Sequence, residues 1–318
     1  ILVRPDSYVG SIEPTTDSQW VINSEDNKSA NLKVVSYTPA LFKIFDELAV
    51  NAADQSQRDD TLNTIKFEIS QKENKLSVYN NGVGIPVQIH EEHKIWVPEL
   101  IFAHLLTSSN FDDNEKKTTG GRNGYGAKLA NIYSTEFHID IGDPESKKRY
   151  QQKCEKNMTK INKPKITKYD KNVGYVKITI FPDLERFKLT EMTDDFINII
   201  TRRVYDIAAN TPKHVKVFLN TKQIWVKNWD DYMSLYLGAK KDRFRITESP
   251  HKRWDVTVST SNIGYQQVSF VNSIATTKGG SHVDHIVGQI TKKVEEMMKQ
   301  KKIDVKRSYI KEHMFIGV

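Results

Sequence analysis

Gly120-Gly121-Arg122-Asn123-Gly124-Tyr125-Gly126-Ala127-Lys128 places four glycines within seven positions. Without a Cβ, such a backbone can approach a ligand closely and turn successive N–H groups toward it. Ala127-Lys128-Leu129-Ala130-Asn131-Ile132 follows with helix-forming residues. Those N–H groups would then open a helix, where phosphate is favoured. Two familiar phosphate loops do not fit. A Walker A loop needs Lys directly after its last glycine and then Ser or Thr, whereas Ala127 intervenes and Leu129 follows here. A dinucleotide fingerprint needs Gly-x-Gly-x-x-Gly, and Gly121, Gly124 and Gly126 have the reverse spacing. On the glycines alone a structural turn and a phosphate cradle both stay open.

Two upstream motifs bear on that choice. Asp46-Glu47-Leu48-Ala49-Val50-Asn51-Ala52-Ala53-Asp54 lies in a stretch whose apolar positions 41, 42, 44, 45, 48, 49 and 52 repeat at helical spacing. Thr38 suits the N-cap and Pro39 the first helical position. Glu47 and Asn51, four apart, project from one face. A carboxylate and an amide oxygen so placed can hold a water and a divalent cation side by side; a solvated helix face is the alternative. Asn80-Asn81-Gly82-Val83-Gly84-Ile85-Pro86 follows two alternating runs, Ile65-Phe67-Ile69 and Leu76-Val78, which predict a hairpin and a tight loop. Asn-Gly alone is a turn signal, but a buried Asn also offers a donor and an acceptor to a heteroaromatic base edge.

In this order the three motifs resemble the GHKL ATPases, whose members share an N-box helix with a Glu/Asn pair, a Gly-x-Gly loop under adenine, and a glycine lid. Four longer strings are similar to the ATPase region of eukaryotic-type topoisomerases II: Arg4 to Gly10, Leu105 to Asn110, Gly120 to Lys128, and Phe270 to Gly280. The likeness runs from Ile1 to Val318. It implies an α+β fold, with a GHKL-type α/β sandwich over residues 1–236 and the start of a transducer domain (ribosomal protein S5 domain 2-like) over 237–318. It also implies an ATP-binding and hydrolysing gate, in which ATP dimerises two copies around a DNA segment and hydrolysis times duplex passage.

The resemblance assigns residues as well. Glu47 would be the general base and Asn51 a Mg²⁺ ligand. Asn80 would hold the adenine edge, standing where many relatives have Asp, and Ile85 would pack on the base. Ser108, Ser109 and Asn110 would contact ribose and phosphates. Gly121, Arg122, Asn123, Gly124, Tyr125, Gly126, Ala127 and Lys128 would wrap the triphosphate, and Thr179 would reach adenine through water. ATP and Mg²⁺ are the implied cofactors, double-stranded DNA and a second copy the implied partners, and the nucleus the implied location. The family's γ-phosphate lysine sits in a Gln-Thr-Lys loop that this sequence lacks; Thr277-Lys278 belongs to a different family stretch. The DNA-cleaving tyrosine likewise belongs to other regions. A mismatch-repair or chaperone ATPase would share the N-box and Gly-x-Gly loop, but not the strings Ser108 to Asn110 and Thr276 to Gly280. A nucleotide-sensing dimerisation module would have no use for Glu47.

Composition is compatible with this reading. At 318 residues and 38% hydrophobic, the chain can bury cores for two domains. It has no apolar run of about 18 residues, so no membrane-spanning helix is expected. Cys154 is the single cysteine, which excludes an internal disulfide and fits a reducing compartment. Between Ala239 and Val318 lie 15 Lys and Arg against 8 Asp and Glu, which accounts for the whole net charge of +7. Nucleic acid would be drawn to that part, unless it is only a solvated basic surface; Lys299, Lys301 and Lys302 are the first candidate phosphate contacts. The start at Ile1 and an apolar run, Met314-Phe315-Ile316, that reads as an unfinished strand suggest a piece of a longer protein.

Further elements are expected as follows. Strands are predicted near 136–141, 149–154, 175–181, 215–219 and 223–226, with helices near 98–106 and 190–209. Lys156 to Asn172 reads as an exposed loop or hairpin tip. Trp254 to Thr260 and Tyr265 to Val271 read as a hairpin. Ser281 to Gln300 reads as an amphipathic helix with Val283, Ile286, Val287, Ile290, Val294 and Met297 on one side.

Overall fold

The computed structural model describes residues 1–105, 125–241, 243–251 and 253–318. The chain divides into two units, Ile1–Ile22 with Asn31–Lys227, and Asn23–Ala30 with Asn228–Val318. Along the first unit run β1 (Thr15–Ile22), β2 (Ala30–Tyr37), α1 (Pro39–Arg58), β3 (Thr64–Ser70), β4 (Lys75–Gly82), α2 (Val97–Ala103) and α3 (Gly126–Ile132). There follow β5 (Ser134–Asp143), β6 (Lys148–Glu155), β7 (Lys160–Ile161), β8 (Lys165–Lys168), β9 (Gly174–Pro182), α4 (Asp194–Asn210), β10 (Lys216–Leu219) and β11 (Lys222–Gln223).

Among the described residues β3 to β11 form one nine-stranded sheet in the order β11-β10-β3-β4-β9-β5-β6-β7, with β8 also on β6. Within this sheet, among the described residues, only β10 and β3 pair in parallel. Register sorts its two faces. Val78 stands opposite Phe67 and Ile178, and Asn80 opposite Ile65 and Val176. Directly opposed residues share a face, so this row is the helix-covered side. Phe45 of α1 meets Phe67 at 6.0 Å between ring centroids, and Phe102 of α2 meets Phe137 at 6.1 Å. The alternate row is more polar: Lys177 pairs with Glu68, and Arg149 grips Asp140 at 2.9 and 2.6 Å. The result is the expected two-layer α/β sandwich.

α1 begins where Pro39 predicts, with Thr38 extended at the N-cap, although the Thr38 side chain makes no capping bond. Its apolar stripe, Leu41, Ile44, Phe45, Leu48, Ala49 and Ala52, is buried. α4 packs beside it, and its buried Arg203 donates to Asp46 Oδ1 at 2.5 Å. Removing one partner of such a pair typically costs about 3–5 kcal/mol. The segment read as an exposed loop or hairpin tip over 156–172 contains β7 and β8, both laid antiparallel on β6. Lysine-rich edge strands carry little hydrophobic alternation, so their pairing is poorly visible in sequence.

The second unit contains α5 (Trp229–Leu237), β12 (Arg245–His251), β13 (Trp254–Thr260), β14 (Gln266–Val268), β15 (Phe270–Val271), β16 (Ile274–Ala275), α6 (Ser281–Gln300), α7 (Arg307–Glu312) and β17 (Met314–Gly317). It starts earlier than the boundary expected near Leu237. The reason is α5: Trp229 Nε1 donates to Thr257 Oγ1 at 3.0 Å, and a Cβ on Gly317 would stand 2.5 Å from Met233 Sδ. The expected hairpin between β13 and β14 does not form. β17 inserts between them, antiparallel to β13 and parallel to β14. α6 matches its prediction in span, and Val283 and Val287 close on Met314 and Ile316. Met297, expected on the apolar side, is 50% exposed. Among the described residues no helix is long and apolar enough to cross a membrane.

Candidate active site

α1 carries Glu47 and Asn51 one turn apart on one face. Glu47 is half-buried, and its Oε1 lies 2.5 Å from Lys43 Nζ, one turn back. Its other oxygen abuts the glycine motif: a Cβ built on Gly126 would stand 1.9 Å from Glu47 Oε2. The first residue of α3 therefore has room for nothing but hydrogen beside that carboxylate. Asn51 is exposed.

α3 is short, and Ala127 to Ile132 are all buried. Lys128 is 1% exposed, and burial pushes its ammonium down to about 8. Asn131 Nδ2 donates to Phe102 O at 3.0 Å, which pins α3 to α2. Ser108, Ser109, Asn110, Gly121, Arg122, Asn123 and Gly124 lie outside the described residues. Tyr125, Gly126, Ala127 and Lys128 are the described part of the lid motif.

At the end of β4, Asn80 is buried on the helix-covered face and its Nδ2 donates to Asn81 O at 3.3 Å. The loop beyond turns on Gly82 (φ +127) and Gly84 (φ +83), both in the region that favours glycine. Ile85 is half-buried in this loop. Thr179 is placed elsewhere. Its hydroxyl donates to Ser77 Oγ at 3.0 Å, and both belong to the row alternate to Asn80. Thr179 thus faces away from Asn80, and the water-mediated adenine contact expected of it does not follow. Val176 is the residue of β9 directly across from Asn80.

Two carboxylates that the sequence reading passed over border the same loop. Asp59, just past α1, accepts from Val83 N at 2.7 Å, and Asp143, ending β5, accepts from Val87 N at 2.8 Å. Burial alone would raise each carboxyl; hydrogen bonds from Thr61 and Val83, and from Val87 and Glu145, outweigh it and hold both below the ordinary value. The Asp59-x-Thr61 spacing after a helix, an Asx-turn signal, was the clue available.

The donor set suits a hard divalent cation only in part. Among the described residues no group of three or more His, Cys, Asp and Glu is placed to hold a metal. Mg²⁺ characteristically takes one or two protein oxygens and fills its shell with water and substrate phosphates, and an exposed amide beside Glu47 fits that habit.

Lys299, Lys301 and Lys302 are exposed at the end of α6, in the second unit. Lys299 approaches Glu295 at 3.9 Å, and Arg307 donates to the same carboxylate at 3.0 Å.

Comparison with known proteins places these features. Residues 37–160 match the family of histidine kinase-, DNA gyrase B- and HSP90-like ATPases, and residues 216–318 match DNA gyrase B. DNA topoisomerase 2 of Arabidopsis thaliana is 50% identical over 326 residues, covering 100% of this chain and 22% of that protein. The Saccharomyces cerevisiae enzyme of that name is 46% identical, covering 100% and 23%. The chain therefore spans about a fifth of the length of the curated relatives it matches. The ATPase and transducer domains of DNA topoisomerase II from Balamuthia mandrillaris superpose with a TM-score of 0.91 at 39% identity, over 99% of this chain and 81% of that one. The ATPase region of S. cerevisiae topoisomerase II superposes with a TM-score of 0.92 at 46% identity, over 100% of this chain and 82% of that one. The chain belongs to the DNA topoisomerase II family, within which it corresponds to the ATPase region.

Proposed function

We propose that this chain is the ATP-binding and hydrolysing gate of a type IIA DNA topoisomerase, acting as a homodimer on double-stranded DNA in the nucleus. The observation that carries the reading is the close approach of Gly126, in the described end of the lid motif, to the Glu47 carboxylate of the N-box helix. Glu47 orients and deprotonates the attacking water, and Lys43 holds its carboxylate in place through Oε1. Asn80 offers its amide to the adenine edge and Ile85 its side chain to the ring. The lid backbone receives the triphosphate; Lys128, expected beside it, is 1% exposed in this fold. Mg²⁺, bound through Asn51, would neutralise charge on the phosphate oxygens. The proposal is tested by ATP binding and by steady-state ATPase activity with and without duplex DNA. Absence of ATP binding, or turnover that DNA leaves unchanged in the full-length protein, would overturn it.

Asn51→Ala is expected to weaken Mg²⁺-ATP binding while leaving the Glu47 carboxylate in place. A Mg²⁺ titration at fixed ATP should show the midpoint moving to higher metal concentration; an unmoved midpoint would take Asn51 out of the metal site.

Lys299, Lys301 and Lys302 are proposed as phosphate contacts, independent of DNA sequence. Each such contact contributes about −0.9 to the slope of log K against log salt. Charge reversal at all three should flatten that slope by about 3 and reduce DNA-stimulated turnover while leaving basal turnover unchanged. An unaltered slope would assign these lysines to a solvated surface.

A further inference from the structure

The loop from Val83 to Val87, between Asn80 and the remainder of the chain, is held at both ends by a buried carboxylate. At one end, Asp59 Oδ2 receives Val83 N–H at 2.7 Å, while its Oδ1 receives Thr61 N–H at 2.9 Å and the Thr61 hydroxyl at 2.5 Å. At the other end, Asp143 Oδ2 receives Val87 N–H at 2.8 Å, and its Oδ1 receives Glu145 N–H at 2.9 Å. Both side chains are almost fully buried, Asp59 at 6% and Asp143 at 5% exposure. The fit around the loop is close. A Cβ on Gly82 would meet Asp59 Oδ2 at 2.2 Å, and one on Gly174 would meet Val83 O at 2.5 Å.

Asn81 completes the attachment from the same strand end. Its Oδ1 accepts Asn63 N–H at 3.0 Å and Thr64 N–H at 2.8 Å. The turn that follows the N-box helix and the loop that follows Asn80 are therefore bound to one another through side chains from both. Asp59 sits at the C-cap of α1, so the helix bearing Glu47 and the loop bearing Ile85 share an anchor.

We propose that Asp59 and Asp143 are positioning residues that hold the Val83–Val87 loop in its base-accepting shape before nucleotide arrives. This rests on the reading of that loop as the adenine site. Both act through backbone N–H groups of the loop, so their contribution belongs to base recognition and not to phosphate chemistry. An Asn at either position loses the charge that strengthens these hydrogen bonds and turns an NH₂ toward a donor, so the hold on the loop weakens whichever way the amide sits. A preformed loop lowers the ordering cost of binding.

The test compares Asp59→Asn and Asp143→Asn with Thr61→Val, which removes a donor from the side of Asp59 remote from the loop. Both Asn variants should raise the dissociation constant for ATP by about ten- to a hundredfold, the loss expected for hydrogen bonds to a charged group. Inhibition by tripolyphosphate, which has no base, should stay within about twofold of wild type, as should kcat at saturating ATP. Thr61→Val should lower thermal stability without moving ATP affinity. In the nucleotide-free wild type, the Val83 and Val87 amides should also exchange slowly with solvent, a readout that needs no variant. Unchanged ATP affinity in both Asn variants would overturn the proposal, as would a parallel loss of tripolyphosphate binding, an equal ATP defect in Thr61→Val, or fast exchange at both amides. A wild type that binds tripolyphosphate but not ATP would sink the nucleotide reading itself, and this inference with it.

Discussion

Glu47→Gln is expected to slow ATP hydrolysis by roughly two to four orders of magnitude while leaving ATP affinity within about threefold of wild type. The amide keeps the length and shape of the side chain, so the contact with Gly126 survives and the phosphate side of the site is undisturbed. What disappears is the acceptor for the water's proton. The Lys43 pair weakens too, but on a partly exposed helix face that interaction contributes little to stability, so the melting temperature should move by no more than a few degrees. Single-turnover hydrolysis with saturating enzyme, set beside equilibrium ATP binding, separates chemistry from affinity. Wild-type hydrolysis in the variant would remove Glu47 from the role of base. Loss of binding with unchanged chemistry would make it a ligand-holding residue instead.

Part of this site's framework is legible in the sequence. The N-box helix announced itself because Pro39 and the 3.6-residue apolar period agree, and the structure starts and buries α1 accordingly. Asn80 was legible because two alternating runs set it at the end of a strand. Other features depend on register or on distant partners, which a local pattern does not encode. Thr179 looks like a neighbour of adenine by motif alone, yet one step of the pleat puts it on the opposite face from Asn80. The pairing of β13 with β17, not β14, depends on a strand that arrives after two intervening helices. β1 and β2, unread in the sequence, are exposed along much of their length, and Val21 and Val35 pack with Ile199 of α4. Asp59 and Asp143 resemble ordinary turn aspartates until the backbone groups they receive, 24 and 56 residues away, are in view.

Gly126→Ala should be nearly as damaging to catalysis as loss of the base, although it alters no functional group. The added methyl would stand 1.9 Å from Glu47 Oε2 and 2.8 Å from its Cδ, so the carboxylate must move. The carboxylate is the far end of a flexible side chain and can swing aside, but Glu47 Cβ would also stand 3.3 Å away, so α1 and α3 must give slightly. Stability should therefore fall only slightly. Turnover should fall by about two orders of magnitude, the scale of loss when a catalytic group is displaced by about 1 Å. The double variant Gly126→Ala/Glu47→Gln distinguishes this mechanism from general damage to the lid. If the methyl acts through Glu47, removing the base first leaves it nothing further to disrupt, and the double variant should turn over at the rate of Glu47→Gln alone. Multiplying defects would mean that Gly126 serves the lid independently of the base, and a fully active Gly126→Ala would mean that Glu47 works from another position.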